Sequence, residues 1–376
     1  MKVLVIGSGG REHAILWKLA QNKKIDQLYC APGNAGIGEI AQLVDIKAIE
    51  IEKLADWAST NHIDLTIVGM EDPLTMGIVD LFKEKGLRIF GPRENAAVLE
   101  GSKVFAKDLM KKYNIPSASY EVFEEPTLAK DYLLTIDYPV VLKADGLAFG
   151  KGVLICEDIS EAIAGVDEIM VDKKYGSAGA RLVVEEFMTG PEVSVLSFCD
   201  GETIIPMVSA QDHKRAYDND EGLNTGGMGT FSPSKFYTDE MHAWCIEEIY
   251  KPTLEAMKLE GRPFTGIIFF GLMLTPSGVK VLEYNARFGD PEAQVVLPRL
   301  KTDLLDIIEH AIDGKLDEMT LEWSNQQAVC VVLASGGYPV SYKNGYQITG
   351  LENQKDKEDV LVFHAGTAMK DEHFVT

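Results

Sequence analysis

Lys143-Ala144-Asp145-Gly146-Leu147-Ala148-Phe149-Gly150-Lys151-Gly152-Val153 sets a lysine at the end of an apolar strand. A loop with three glycines and a second lysine follows, then another strand. Such a loop can lay backbone N–H groups over a triphosphate. It is not a Walker A loop, because no Gly-Lys-Ser/Thr opens a helix. The plainer alternative is an ordinary glycine-rich hairpin, and the flanking sequence has to decide between the two.

Upstream, residues 1–100 alternate short apolar runs with helical patterns. Strands are expected at Val3–Ile6, Gln27–Ala31, Asp64–Val68 and Arg88–Phe90, and helices at Arg11–Asn22, Ile51–Asn61 and Thr75–Lys85. Strands alternating with helices mean βαβ units and a parallel sheet. Gly7-Ser8-Gly9-Gly10-Arg11-Glu12-His13 closes the first strand, where glycines let a ligand approach and a helix N-terminus favours an anion. A dinucleotide is the obvious ligand, but Glu12 replaces the third glycine of that fingerprint. The second strand also runs into Ala31-Pro32-Gly33-Asn34 instead of an acidic ribose partner. A phosphate or small-substrate site fits better than NAD, and this weighs against an oxidoreductase.

One helix is expected over Ala96–Tyr113. A smaller α+β unit then occupies about 120–190, with strands Val140–Ala144, Gly152–Cys156 and Arg181–Phe187 and a helix near Ser160–Val171. Val183–Glu192 ends a strand in acidic residues and an apolar pair. Backbone near Phe187 would suit an adenine edge, and Glu192 a ribose. Strands return at Glu192–Cys199 and Thr203–Ser209. Gln211–Pro233 reads as a polar, glycine-rich loop, in which Asp212-His213-Lys214-Arg215 stands out against the acidic background. A helix over Thr238–Leu259 leads to paired strands Gly266–Leu274 and Lys280–Asn285. In the second of these, Glu283 and Asn285 are two apart and share a face. A carboxylate and an amide oxygen suit a Mg²⁺ ion completed by phosphate oxygens and water, and Arg287 can reach a phosphate. A helix over Thr302–Asp313 and a strand over Ala328–Ala334 complete the pattern.

Composition sets the outer limits. Of 376 residues, 46% are hydrophobic and 25% charged, enough for a buried core. A net charge of −22 opposes a nucleic-acid or anionic-membrane surface. The five scattered cysteines form no Cys-x-x-Cys pair and read as reduced intracellular thiols. No apolar run spans a bilayer. A cytoplasmic protein is expected, a monomer with small-molecule partners.

Collinear stretches carry a resemblance: GSGGREHA (7–14), APGNAG (31–36), LEGSK (99–103), KADGLAFGKGV (143–153), VVEEF (183–187), QDHKR (211–215), NTGGMG (224–229) and EYNARFGDPE (283–292). Together they resemble the ATP-grasp enzymes and, among these, the glycinamide ribonucleotide synthetase family. The resemblance implies an α/β multidomain fold. An N-terminal Rossmann-like parallel sheet (1–100) precedes an ATP-grasp core of two α+β lobes (101–325, with an ATP lid at about 120–190). A short C-terminal domain (326–376) follows. It implies ATP and Mg²⁺ or Mn²⁺, with glycine and 5-phosphoribosylamine as substrates. Glu283 and Asn285 would hold the metal. Lys103, Lys143, Gly150, Lys151, Gly152, Glu185, Phe187, Met188 and Glu192 would hold ATP. Gly9, Gly10, Gly33, Asn34, Asp212, His213, Lys214, Arg215, Asn224, Gly226, Gly227, Arg287 and Asp290 would meet the substrates, with Arg287, Lys143, Asp212 and Lys214 as the catalytic charges.

The alternatives are another ATP-grasp carboxylate–amine ligase or an inactive ATP-binding remnant. Leu223 departs from the family's usual proline, a change expected to affect loop stiffness alone. Family members continue past Thr376 with a further strand and helix, so the last domain is expected to be incomplete.

Overall fold

The computed structural model describes residues 1–147, 152–354 and 357–376. Lys2–Gly7 (β1) leads into Gly10–Leu19 (α1), then Gln27–Pro32 (β2), Gln42–Leu43 (β3), Ile51–Thr60 (α2) and Leu65–Val68 (β4). Glu71–Thr75 (α3), Ile78–Glu84 (α4) and Ile89–Phe90 (β5) close a parallel sheet of order β3-β2-β1-β4-β5. Side chains alternate across β1. Val3 and Val5 join one buried cluster, and Leu4 and Ile6 another on the opposite face. The helix expected over Thr75–Lys85 is cut at its start: Thr75 ends the short, unexpected α3, and α4 begins at Ile78. Gly77 adopts φ +85°, a left-handed conformation that ends α3 before α4 begins.

The expected helix Ala96–Tyr113 is likewise split, into Glu94–Gly101 (α5) and Lys103–Lys112 (α6). Ser102 between them is extended (φ −138°, ψ 114°), and its hydroxyl accepts from Phe105 N at 3.1 Å, capping α6. Tyr120–Phe123 (β6), Pro126–Leu133 (α7), Val140–Ala144 (β7), Val153–Cys156 (β8), Ile159–Val166 (α8) and Leu182–Glu186 (β9) form a lobe around an antiparallel sheet, β6-β9-β7-β8, with its own core.

Glu192–Asp200 (β10), Ile204–Pro206 (β11), Gln211–Tyr217 (β12) and Glu221–Ser232 (β13) come next. The loop expected over Gln211–Pro233 is therefore a correction: it is a hairpin, β12 against β13. Its strands face an open cleft and carry glycine and polar residues, so the apolar alternation of a half-buried strand is missing. Backbone pairing of β13 with Ala328–Val331 (β16) holds it in place.

Asp239–Cys245 (α9) and Lys251–Leu259 (α10) are joined by one wide helical turn. Thr265–Thr275 (β14) and Gly278–Asn285 (β15) complete the sheet β11-β10-β14-β15. Ala293–Arg299 (α11), Leu304–Asp313 (α12), β16, Ala368–Lys370 (β17) and His373–Val375 (β18) finish the chain. One hydrophobic cluster runs from Val5 and Ile67 of the parallel sheet through Leu297 and Ile308 to Phe198 and Phe269. The parallel sheet is thus fused to the core by buried apolar surface. No helix among the described residues is long and apolar enough to cross a membrane.

Candidate active site

A continuous cleft of about 2770 Å³ runs between the small lobe, the β10–β15 sheet, the β12–β13 hairpin and residues of the C-terminal segment from Ser324 to Thr376. A single small ligand needs only ~300–1,000 Å³, so the space suits a nucleotide and further substrates together. Its floor is β15. Glu283 and Asn285 share the cleft face, while Tyr284 between them is buried in the core behind. Gly271 opposite Glu283 leaves room for that side chain, since a Cβ there would lie 3.0 Å from Glu283 Cγ. A register shift next to Gly271 adds Leu282 to the strand, and its carbonyl accepts from Lys143 Nζ at 3.3 Å.

Three lysines converge on this floor. Lys143 Nζ is 3.0 Å from Glu185 Oε2, Lys103 Nζ donates to Gly146 O at 2.8 Å, and Lys214 Nζ lies 3.1 Å from Glu192 Oε2 and 3.8 Å from Glu283 Oε1. Desolvation alone would raise the Glu283 carboxyl, but Lys214, Lys143, Lys103 and Arg287 hold it below its ordinary value. Burial works against the charge on Lys214, yet Asp212, Glu283 and Glu192 outweigh it and raise the amine well above its usual range. Burial, with Glu283 opposing, lowers Lys103. Asp212 is raised, first by burial. Glu292, buried with Oε1 accepting from Ser194 Oγ at 2.9 Å, is pushed up to about 7 by burial and by Asp212.

Sequence reasoning missed Lys107. It lies one helical turn beyond Lys103 on α6, and that i, i+4 spacing was the available signal. Its amine is 2.9 Å from Glu185 Oε2, so one carboxylate oxygen takes two lysines. Glu185 Oε1 is buried with no hydrogen-bond partner. It sits in the cleft wall with Phe187, Met188 and Glu192.

On the hairpin, Asp212 and Lys214 turn toward Glu283; His213, exposed beside Phe231, and Arg215, which donates to Gly222 O at 2.7 Å, also line the cleft. Asn224, Gly226 and Gly227 line the cleft, as do Lys103, Lys143, Gly152, Arg287 and Asp290. Gly227, at φ +116°, packs against Pro291 too closely for a side chain. Gly150 and Lys151 lie outside the described residues.

The parallel-sheet side is built around charge. Glu12 turns back under its own loop: Oε2 accepts from Gly9 N at 2.6 Å and Oε1 pairs with Arg11 Nε at 2.6 Å. A Cβ on Gly7 or Gly69 would collide with it. The crevice where a dinucleotide pyrophosphate would lie is therefore filled by a carboxylate, which is the physical reason the NAD reading fails. Asp290 faces the first turn of α1, with Oδ2 3.4 Å from Arg11 N and Oδ1 accepting from Gln294 at 2.6 Å. Gly10 borders the cleft. Gly9, Gly33 and Asn34 are not in its lining. Instead, the Asn34 amide donates to Ser8 O (2.9 Å) and His364 O (2.8 Å) and accepts from Ile37 N (3.0 Å). The C-terminal segment is held here. His364 N donates to His13 Nδ1 at 2.9 Å, and burial lowers His13 to about 4.

A two-lobed cleft with lysines facing a Glu/Asn strand, behind a parallel α/β domain, defines an ATP-grasp enzyme by fold. The biotin carboxylase domain of Hydrogenobacter thermophilus 2-oxoglutarate carboxylase, solved with MgADP, shares that fold at TM-score 0.67 and 18% identity, over 87% of this chain and 73% of that one. The chain belongs to the phosphoribosylglycinamide synthetase family, whose N, ATP-grasp (A) and C domains match residues 1–100, 101–293 and 328–376. Phosphoribosylamine–glycine ligase of Halalkalibacterium halodurans is 54% identical over 376 residues, covering 100% of this chain and 87% of that protein. The Clostridium acetobutylicum ligase is 51% identical over 370 residues, 98% and 88% of the two chains. The crystal structure of the Thermotoga maritima ligase superposes at TM-score 0.86 with 33% identity, over 100% of this chain and 90% of that one.

Proposed function

We infer that the chain is a carbon–nitrogen ligase of purine biosynthesis, joining glycine to 5-phosphoribosylamine at the expense of ATP. The observation that carries this reading is the meeting of Lys103, Lys143 and Lys214 with the Glu283/Asn285 strand in one cleft, in a chain 54% identical to a ligase of that name. The glycine carboxylate attacks the γ-phosphate, giving glycyl phosphate and ADP. The ribosyl amine then attacks the acyl carbon, loses a proton, and phosphate leaves, yielding glycinamide ribonucleotide.

No protein nucleophile is needed, and the work is positioning and charge neutralisation. Lys103 and Lys143 suit the triphosphate, Glu185 to Met188 the adenine, and Glu192 the ribose. Asp212, Lys214 and Arg287 suit the reacting groups, and Gly10, Asn224, Gly226, Gly227 and Asp290 the substrates beside them. Glu283 and Asn285 are hard oxygen donors that fit Mg²⁺ or Mn²⁺ with phosphate and water completing the shell. Among the described residues no larger metal cage exists. When bound, that ion neutralises the phosphate charge.

We further read the chain as a cytoplasmic monomer divided at about residues 100 and 325. The functional test is phosphate release from MgATP with glycine and freshly generated phosphoribosylamine, each omitted in turn. Release that requires both, with glycinamide ribonucleotide formed, supports the reading. Release with glycine and another amine, but not with phosphoribosylamine, would overturn the substrate assignment.

A further inference from the structure

Arg287 follows the Glu283/Asn285 strand, and its guanidinium is held across the boundary between the parallel-sheet domain and the core. Its Nε pairs with Glu71 Oε2 at 3.0 Å, its Nη2 with Glu100 Oε1 at 3.1 Å, and its Nη1 donates to Phe288 O at 3.2 Å. Glu71 opens α3 of the parallel-sheet domain, and Glu100, in α5 at the end of that domain, also accepts from Ala286 N at 2.7 Å. Arg11 Nη1, from α1, donates to the same Phe288 carbonyl at 3.1 Å and lies 3.9 Å from Glu71. Both carboxylates are nearly buried, with side chains 15% and 6% exposed. An arginine has five N–H donors in a fixed plane. Two make hydrogen bonds, to Glu71 and Phe288, while Nη2 lies against Glu100, so N–H groups remain for a ligand, and Arg287 borders the cleft.

We propose that Glu71 is a positioning residue acting across the domain boundary: it fixes the plane of Arg287 so that the remaining N–H groups meet the reacting anion. This rests on the ligase reading above. Glu100 and the Phe288 carbonyl hold the two terminal nitrogens. Glu71 fixes Nε, the remaining one, and it comes from the domain that does not carry the Glu283/Asn285 strand. Docking of the parallel-sheet domain thus becomes a condition for a well-aimed arginine. A misplacement of about 1 Å can cost ~100-fold in rate, and lysine cannot substitute, because a point charge cannot bridge two carboxylates in a plane.

The test uses the whole chain. Glu71→Ala should lower kcat about 10- to 100-fold while the Kd for MgATP, measured by calorimetry, stays within about twofold. Glu71→Gln keeps an oxygen for Arg287 Nε and should recover most of the rate. In an Arg287→Lys background, which retains charge but not the plane, Glu71→Ala should cost less than about twofold more, because the group it positions is already lost. Equal fold-losses in the two backgrounds would mean that Glu71 touches substrate itself or acts on the fold, and would overturn the proposal. So would an unchanged kcat in Glu71→Ala. Failure of the ligase reading shows separately, as a wild-type protein that does not couple glycine to phosphoribosylamine.

Discussion

Replacing Lys107 by methionine tests whether the buried Lys107–Glu185–Lys143 cluster is scaffold alone or also serves the nucleotide. Methionine nearly matches the lysine stem, so the cavity left behind is small. What disappears is a charged contact of 2.9 Å to Glu185 Oε2. Lys107 Nζ makes no aligned hydrogen bond and Glu185 keeps Lys143 at 3.0 Å on the same oxygen, so the cost should fall below the ~3–5 kcal/mol of breaking a buried ion pair outright. Glu185→Leu instead strands two lysines whose side chains are only 3% and 6% exposed, and should cost about 3–5 kcal/mol. Both are read from urea midpoints at constant m-value.

The second readout is nucleotide affinity. Glu185 Oε1 has no partner within the protein, and an acceptor fixed in the cleft wall suits a ligand N–H such as the adenine amino group. Once Lys107 no longer fixes the carboxylate, losing that bond is worth about 1.4 kcal/mol, or tenfold in the Kd for ATP. The refuting result is a Kd within twofold of wild type in a destabilised Lys107→Met protein, which would reduce the cluster to scaffold. A Glu185→Leu variant no less stable than Lys107→Met would refute the energetic argument as well.

Further outcomes follow from the same geometry. Glu283→Gln should abolish phosphate release while the urea midpoint stays close to wild type; normal turnover would sink the metal assignment. His13 is held neutral, at about 4 against an ordinary 6.5. Its contribution is therefore fully present above pH 6.5 and is lost as pH falls toward 4, up to about 3 kcal/mol. The hydrogen-exchange protection factor around His364, which corrects for the intrinsic rate, should fall as pH is lowered across that window in wild type and stay level in His13→Gln. Glu292 is raised, to about 7 against 4.5, so its ionisation penalty grows as pH rises through that interval. Glu292→Gln should gain about 3 kcal/mol of stability at pH 8 and little at pH 4.5; equal gains at both would contradict the assignment. Gly36→Ala, whose Cβ would strike the His364 ring, should free residues 363–367 to proteolysis.

The parallel sheet was legible because buried strands read as unbroken apolar runs, and the Glu283/Asn285 face because a period of two needs no partner. The β12–β13 hairpin was not legible, since strands lining open solvent carry no hydrophobic alternation and their order comes from pairing with β16, almost 100 positions later. The split at Ser102 escaped notice because helix periodicity continues across it, although Ser102 followed by Lys103 is a reasonable cap signal. Glu71 and Glu100 were invisible for a different reason. Their meaning lies in Arg287, which is 216 positions from Glu71, and an isolated acidic residue carries no pattern.

Glu12, folded into the space beneath Gly7 and Gly69, has a consequence for how such a sequence can drift. Gly69 is barred from alanine by a neighbouring side chain, and its φ is not left-handed. The constraint therefore belongs to the pair and not to the position. Alanine at 69 would be rejected while glutamate stays at 12, and it could be accepted in a lineage that had first shortened residue 12. That lineage would already have released Arg11 and unlatched the Gly9 amide. The crevice therefore stays closed to a dinucleotide for as long as Glu12 keeps its bonds to Gly9 and Arg11.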